Sequence, residues 1–173
     1  PDTLQKCVDL VRSCKTVLLF GMGASLCAAK DAYLKFLRLN KPCVINEDWH
    51  SQFLQARNAT PDDLGIAISY SGETVEVIEC MKAMRENGTP IIAITRCVAE
   101  LADYKLYTTA NESTFRSGAL SSRISQLNII DILYTAFANR EYEYCLEQLS
   151  KTHIRKPAAM RHPMAEAGNR GDR

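Results

Sequence analysis

The chain has 173 residues, of which 46% are hydrophobic and 24% charged, and its formal net charge is +1 at pH 7. This length and apolar content suit one domain with a sizeable hydrophobic core. No apolar run reaches the roughly 18 residues of a membrane-spanning helix, and no signal-peptide pattern is present, so we expect a cytoplasmic protein without a membrane partner.

Strand-like and helix-like segments alternate along the chain. Helices are predicted at about 3–14, 24–38, 48–56, 74–87, 114–139 and 141–152, with a helical turn at about 98–102. Strands are predicted at 17–20, 43–46, 65–69, 91–95 and 104–108. Such alternation of Val- and Ile-rich strands with helices predicts an α/β fold, a three-layer αβα sandwich with a five-stranded parallel sheet.

The first predicted strand ends in the loop Gly21-Met22-Gly23-Ala24-Ser25. Its two glycines permit a tight turn and a close approach of the backbone to a ligand. The loop is not a dinucleotide-binding fingerprint, because Ser25-Leu26 stands where the third glycine would be approached.

The third predicted strand ends in a second loop, Ser69-Tyr70-Ser71-Gly72-Glu73-Thr74, which also leads into a helix. Backbone N–H groups at a helix start lack intrahelical partners, so they bind a phosphate well, and the three hydroxyls add donors. In one loop alone, Ser71 and Thr74 are equally well explained as N-caps. Two such loops favour a ligand, because ligands of open α/β sheets bind where the strand order reverses, which is between the first and third strands in the order 2-1-3-4-5.

These motifs resemble the sugar isomerase (SIS) domain, a flavodoxin-like αβα module that binds phosphosugars. A downstream segment resembles, more narrowly, the effector domain of RpiR-type bacterial transcription regulators. The resemblance covers roughly residues 3–150 and rests on Gly21–Ser25, Ile68–Thr74, Ala93–Thr95, Glu112, Phe115–Leu127 and Ile130–Leu133. It implies a sheet of order 2-1-3-4-5 and a sugar-phosphate ligand bound by Gly23, Ser25, Ser69, Ser71, Gly72, Thr74 and Glu112.

RpiR-type regulators also carry an N-terminal helix-turn-helix domain, which this sequence lacks. We therefore expect residues 1–152 to be the sugar-phosphate-sensing domain of such a regulator, which meets DNA only through the missing domain. The alternative is a stand-alone SIS-domain isomerase similar to 6-phospho-3-hexuloisomerase or arabinose-5-phosphate isomerase.

An aldose–ketose isomerase needs a base that moves a proton between adjacent carbons and a second group that opens the ring. Glu112 is the candidate base, because SIS isomerases resemble this chain in placing a glutamate there. A histidine is hard to find: His50 follows the second strand, and His153 and His162 are near the end of the chain. We therefore favour binding without turnover and assign no catalytic residue.

The long predicted helix is apolar around much of its circumference, at Leu120, Ile124, Leu127, Ile130, Leu133, Tyr134 and Phe137. Such a helix is buried on more than one face, and SIS domains resemble this chain in pairing, so we expect a homodimer or a dimer of dimers.

Charge and cysteine patterns complete the expectations. Residues 151–173 hold six of the 21 basic and two of the 20 acidic residues, which leaves 15 basic and 18 acidic residues, a net charge of −3, in residues 1–150. A globular part of this charge is not a nucleic-acid binder, and the Pro- and Gly-containing segment 153–173 is expected to be a disordered tail. The seven cysteines are odd in number and form no C-x-x-C pair, which favours reduced thiols without disulfides, metal or cofactor.

Overall fold

The computed structural model describes residues 2–97, 100–109 and 120–154. Within these ranges the chain alternates between helices and parallel strands. The helices are α1 (Asp2–Ser13), α2 (Ala24–Arg38), α3 (Trp49–Arg57), α4 (Val75–Glu86), α5 (Leu120–Arg140) and α6 (Tyr142–Lys151). The strands are β1 (Val17–Gly21), β2 (Cys43–Ile45), β3 (Leu64–Ile68), β4 (Ile91–Thr95) and β5 (Tyr104–Tyr107).

The five strands form one parallel sheet in the order β2-β1-β3-β4-β5. The predicted fold class and strand order are confirmed. Strand β1 pairs with β3 along its whole length, as far as Gly21 opposite Ile68. On its other side it pairs with β2 only as far as Leu19 opposite Ile45, so the last two residues of β1 extend past their neighbour.

Two hydrophobic layers cover the sheet, because successive strand residues point to opposite faces. Leu19 and Ile66 face the layer formed by α1, α2 and α5, where Phe36 meets the rings of Tyr134 and Phe137 edge to face. On the other face, strand residues 18, 20, 67, 91 and 93 pack against buried side chains of α3 and α4. The result is the three-layer αβα sandwich.

Helix α5 divides its apolar residues between the core and the surface. Ile130, Leu133 and Phe137 are buried. At the start of the helix, Leu120 is 57% exposed and Ile124 is 65% exposed. The apolar residues that the sequence places around this helix thus lie on two faces, one packed in the core and one directed outward.

Several expectations fall partly or wholly outside the described residues. The long helix, expected from about residue 114, is described from Leu120. Of the helical turn expected at 98–102, the structure describes a turn at residues 100 and 101. Glu112 and the expected tail from residue 155 onward lie outside the described ranges. None of the helices in the described part of the chain combines the length and apolar content that crossing a bilayer requires.

The cysteines occupy both core and surface. Cys7, Cys80 and Cys145 are buried, whereas Cys27 and Cys97 are exposed. Burial raises the pKa of Cys7 and Cys80 to about 12. These two thiols are therefore protonated at neutral pH and act as packing residues.

Candidate functional site

A cleft of about 310 Å³ lies where β1 and β3 end, between two loops. We call Gly21–Ser25 the first loop and Ser69–Thr74 the second loop. The cleft is lined by Met22, Gly23, Ala24 and Ser25 of the first loop, by Tyr70, Ser71 and Thr74 of the second loop, and by Ser122 of α5. The structure therefore brings the two loops together at the predicted switch point of the sheet.

The first loop turns on glycine. Gly23 has φ 56° and ψ −125°, a conformation that side-chain-bearing residues rarely adopt. A side chain at Gly21 would place its Cβ 3.0 Å from the carbonyl oxygen of Ser25, so the strand end and the start of α2 are in close contact. The amide of Ser25 donates to the Met22 carbonyl at 3.1 Å, and this bond closes the turn.

Two buried glutamines hold the first loop from outside, and sequence analysis did not identify either of them. Gln52 on α3, 2% exposed, bonds to both the amide and the carbonyl group of Gly21. Gln126 on α5, 1% exposed, donates from Nε2 to Ser25 Oγ at 3.0 Å. Because Gln126 donates, the hydroxyl hydrogen of Ser25 remains available to an acceptor in the cleft.

The second loop is held by its own hydroxyls. Ser69 Oγ lies 2.9 Å from Thr74 Oγ1 and accepts the Gly72 amide at 3.2 Å. Ser71 Oγ accepts the Glu73 amide at 3.2 Å. Gly72 adopts φ 71°, which is again a conformation that glycine tolerates best.

Thr74 occupies the N-cap position of α4, but its side chain makes no capping hydrogen bond. Its hydroxyl instead pairs with Ser69 and lines the cleft. Simple helix capping therefore does not account for Thr74. It does account in part for Ser71, whose hydroxyl accepts a nearby backbone amide.

A cation lies behind the second loop. The Arg96 amide donates to the Tyr70 carbonyl at 3.0 Å, and its Nη1 donates to Tyr70 Oη at 3.3 Å. The guanidinium carbon is 5.9 Å from the centroid of the Tyr70 ring, within the range of a cation–π contact. Arg96 thus places a positive charge beside Tyr70, which lines the cleft, although Arg96 itself does not.

Four of the predicted site residues line the cleft: Gly23, Ser25, Ser71 and Thr74. Gly72 belongs to the same loop, and Ser69 is 6% exposed and supports Thr74 from behind. Glu112 lies outside the described residues. Within the described ranges, no cluster of three or more His, Cys, Asp or Glu residues has the arrangement of a metal site.

A doubly wound parallel sheet with a hydroxyl-lined cleft at its switch point defines an αβα domain of the class in which ligands bind at this edge of the sheet. The SIS domain matches residues 10–136. The chain belongs to the SIS domain family, and the resemblance to this domain and to RpiR-type regulators is confirmed.

Curated relatives of the chain are regulators of transcription. The HTH-type transcriptional regulator YbbH of Bacillus subtilis is 40% identical over 154 residues, which are 86% of this chain and 54% of that protein. HexR of Escherichia coli, also an HTH-type transcriptional regulator, is 33% identical over 142 residues, 80% of this chain and 49% of that protein. The chain spans about half the length of these relatives.

Solved structures share the fold. The Vibrio vulnificus NanR protein complexed with ManNAc-6P superposes with a TM-score of 0.82 at 24% identity, over 87% of this chain and 58% of that one. Other structures with this fold are described as putative sugar-phosphate or phosphosugar isomerases. The fold is therefore common to regulators and to proteins described as enzymes, and only the chemistry of the cleft can distinguish them.

Proposed function

We propose that this chain is the ligand-sensing domain of an HTH-type transcription regulator and that it binds a sugar phosphate in the cleft between the two loops. The observation that carries the proposal is the convergence of two helix-initiating loops on one cleft. Its described lining contains hydroxyls and glycine backbone and no acidic side chain. Such a lining favours an anion, since helix starts carry partial positive charge and hydroxyls donate hydrogen bonds.

The phosphate is proposed to bind to the second loop. The Ser71 and Thr74 hydroxyls line the cleft, and the backbone amides of this loop precede the start of α4. Ser25 completes the site from the first loop with the hydroxyl hydrogen that its bond to Gln126 leaves available. Glu112, outside the described residues, is proposed to contact a hydroxyl or amine group of the sugar.

The names of similar proteins support both parts of the proposal, which are transcription regulation and sugar-phosphate binding. YbbH and HexR are HTH-type transcriptional regulators, and the NanR structure with the same fold is a complex with ManNAc-6P. Because this chain spans about half of such regulators, DNA binding is proposed for the other half of a full-length protein. A regulator of this kind works in the cytoplasm.

Helix α5 is the proposed route by which the ligand affects the rest of the molecule. Ser122 lines the cleft and Gln126 contacts Ser25, whereas Leu120 and Ile124 are exposed. We propose that this exposed face forms a homodimer contact, or part of a dimer of dimers. A ligand that favours one position of α5 would then change the spacing of two DNA-binding halves.

Binding without turnover is part of the proposal. Isomerisation needs acid and base groups near the sugar, and the described lining of the cleft contains no carboxylate, imidazole or amine. An isomerase with Glu112 as its base remains the alternative, which the experiment below tests directly.

A thermal-shift experiment tests the proposal. ManNAc-6P and arabinose 5-phosphate are each compared with the corresponding unphosphorylated sugar. A ligand at a hundred times its Kd stabilises by about 2.7 kcal/mol, which raises the Tm of a domain this size by roughly 5–10 °C. We expect a sugar phosphate to raise the Tm and its unphosphorylated sugar to leave it unchanged.

Two variants locate the site. Ser71→Ala removes a cleft hydroxyl and is expected to weaken binding at least roughly tenfold, since hydrogen bonds to charged groups contribute about 1.5–3 kcal/mol. Ser150→Ala, at an exposed position on α6 that lines neither this cleft nor the larger one beside α1, is the control. NMR of each ligand after incubation shows whether it is converted. Turnover would establish an isomerase, and equal binding by the two variants would exclude this cleft.

A further inference from the structure

The carboxyl end of β1 lacks a strand partner on one side. Along β1, the backbone groups of alternate residues point toward β2, as the bond from the Val17 amide to the Pro42 carbonyl shows. Gly21 is four residues further along and so presents its N–H and C=O to the same side. Strand β2 ends at Ile45, which is opposite Leu19. On the β2 side, Gly21 therefore presents two buried backbone groups with no strand residue opposite them.

The side chain of Gln52 takes the place of the missing strand residue. Its Oε1 accepts the Gly21 amide at 3.2 Å, and its Nε2 donates to the Gly21 carbonyl at 3.0 Å. The second hydrogen on Nε2 reaches the Asn46 carbonyl, also at 3.0 Å, just beyond the end of β2. A carboxamide carries the same donor and acceptor as a peptide group, so one side chain satisfies two buried backbone groups of Gly21 and the part-buried carbonyl of Asn46.

We infer that Gln52 is a positioning residue for the ligand, an inference that rests on the proposed function. Gly21 is the last residue before the turn of the first loop, and its Cα lies against the Ser25 carbonyl so closely that a methyl group would stand 3.0 Å away. A shift of Gly21 therefore moves Ser25. Gln52 does not line the cleft, and it acts on a bound phosphate only through the loop that it fixes.

The hydrogen-bonding pattern explains why glutamine suits this position. A methionine of similar length fills the space but leaves the three backbone groups of Gly21 and Asn46 unpaired. An ionised glutamate still accepts the Gly21 amide but cannot donate to the two carbonyls, and burial makes its charge costly. A protonated glutamate regains one donor, so Gln52→Glu is expected to recover partly as the pH falls.

The test compares Gln52→Met with Gln55→Met. Gln55 lies on the same helix and is half-buried, and no hydrogen bond of its side chain is seen among the described residues. Amide exchange followed by NMR, at a temperature where all variants are folded, reports on the loop without any ligand. We expect exchange at Gly21 and Ser25 to speed up at least tenfold in Gln52→Met and to stay unchanged in Gln55→Met.

Ligand affinity provides the readout that a purely structural role would not change. If the loop adopts its binding geometry only a tenth of the time, the apparent Kd for ManNAc-6P rises about tenfold. We expect this loss in folded Gln52→Met and no loss in Gln55→Met. Gln52→Glu, measured relative to the wild type at the same pH, is expected to bind better at pH 5 than at pH 8, and it serves as the test variant if Gln52→Met fails to fold.

The outcomes separate this inference from the proposed function. If Ser71→Ala abolishes binding while both Gln52 variants bind like the wild type, the cleft assignment is supported and the positioning role is wrong. If the wild type binds no sugar phosphate, the proposed function fails and the ligand role of Gln52 fails with it. If the amide exchange rates of Gly21 and Ser25 are unchanged in folded Gln52→Met, the inference is contradicted, regardless of which ligand the protein binds.

Discussion

The two loops of the cleft are held in different ways. The second loop is held from within, since Ser69 pairs with Thr74 and accepts the Gly72 amide. The first loop is held from outside, by Gln52, 31 residues from Gly21, and by Gln126, 101 residues from Ser25. A glycine loop has few polar side chains of its own, so other elements must fix it. One cleft therefore combines a loop whose own hydroxyls contribute to its support with a loop whose support comes from side chains of other elements.

This difference gives the loops different proposed roles. The second loop is proposed to bind the charged group, and it is held by its own hydroxyls and by Arg96 at the end of the neighbouring strand β4. The first loop is connected through Gln126 to α5, whose opposite side exposes Leu120 and Ile124. Under the proposed function, the first loop is therefore the one that transmits occupancy of the cleft to the outward face of α5.

Removing the internal support of the second loop is expected to have the largest effect. Ser69→Ala leaves the Gly72 amide and the Thr74 hydroxyl without their partner, and Ser69 is 6% exposed. Leaving buried polar groups unpaired costs about 1–3 kcal/mol. We expect urea unfolding to show this loss of stability together with loss of sugar-phosphate binding. Ser150→Ala is the control, and equal stability of the two variants would contradict an internally supported loop.

Gly23 of the first loop allows backbone strain to be tested without a steric clash. A Cβ on Gly23 would have no heavy atom within 4 Å, but its φ is +56°, so alanine there costs about 1–3 kcal/mol of strain. Gly88→Ala, at φ +72° after α4, is the matched variant away from the cleft. Thermal unfolding should show both variants destabilised, and calorimetry should show weaker ligand binding only in Gly23→Ala. Equal binding by both would contradict the role of the first loop.

Removing the hydrogen bond between α5 and Ser25 is expected to have a smaller effect on ligand affinity. Gln126→Leu removes the donor to Ser25 Oγ, and a typical hydrogen bond contributes about 1 kcal/mol. We expect a several-fold weaker affinity for ManNAc-6P in a calorimetric titration. The control is Gln148→Leu, another buried glutamine, on α6. An unchanged affinity in Gln126→Leu would show that Ser25 needs no support from α5.

The smallest predicted effect depends on pH. The backbone amide of Ser51 donates to the Asp48 carboxylate at 2.9 Å, caps α3 and lowers the pKa of Asp48. Because the folded-state pKa is lowered, this contribution to stability is present above the ordinary pKa and is lost as the pH falls through the folded value, below about pH 4. We expect Asp48→Asn to lose less Tm than the wild type between pH 7 and pH 3.

The control for the cap is Asp62→Asn, an exposed aspartate in the turn before β3. If Asp48→Asn and Asp62→Asn lose the same Tm over this pH range, the carboxylate cap contributes nothing measurable to the start of the helix that carries Gln52.

Features that depend on residues close together in the sequence could be predicted, and features that depend on contacts between distant segments could not. The strands and the hydroxyl loop were predictable, because apolar runs mark buried strands and Ser69, Ser71 and Thr74 lie within six residues of one another. The strand order followed from the family resemblance. The roles of Gln52 and Gln126 were not predictable. No local motif marks Gln52, and the segment that carries the family resemblance includes Gln126 without indicating what its side chain contacts. Their roles arise from long-range pairing, such as the early end of β2, which a single sequence does not show.

The volume of a cleft would not have identified the site either. A larger cleft of about 530 Å³ lies between α1 and the start of β5, lined by Lys6, Asp9, Leu10, Arg12, Ser13 and Tyr104. Its charged side chains already have partners: Lys6 pairs with Asp2, Arg12 with Glu141, and Asp9 with Arg140. Under the proposed function, the smaller cleft is the better ligand site because hydroxyls and two helix starts line it and none of its described lining residues is charged.

The most direct test of the central claim is an NMR titration of isotope-labelled protein with ManNAc-6P, following every backbone amide and using ManNAc as the control. The account predicts that the largest shifts fall on the first and second loops and on the first turns of α2 and α4, and only with the phosphorylated sugar. Shifts confined to the α1 cleft, equal shifts with ManNAc, or no shifts with any sugar phosphate would contradict it.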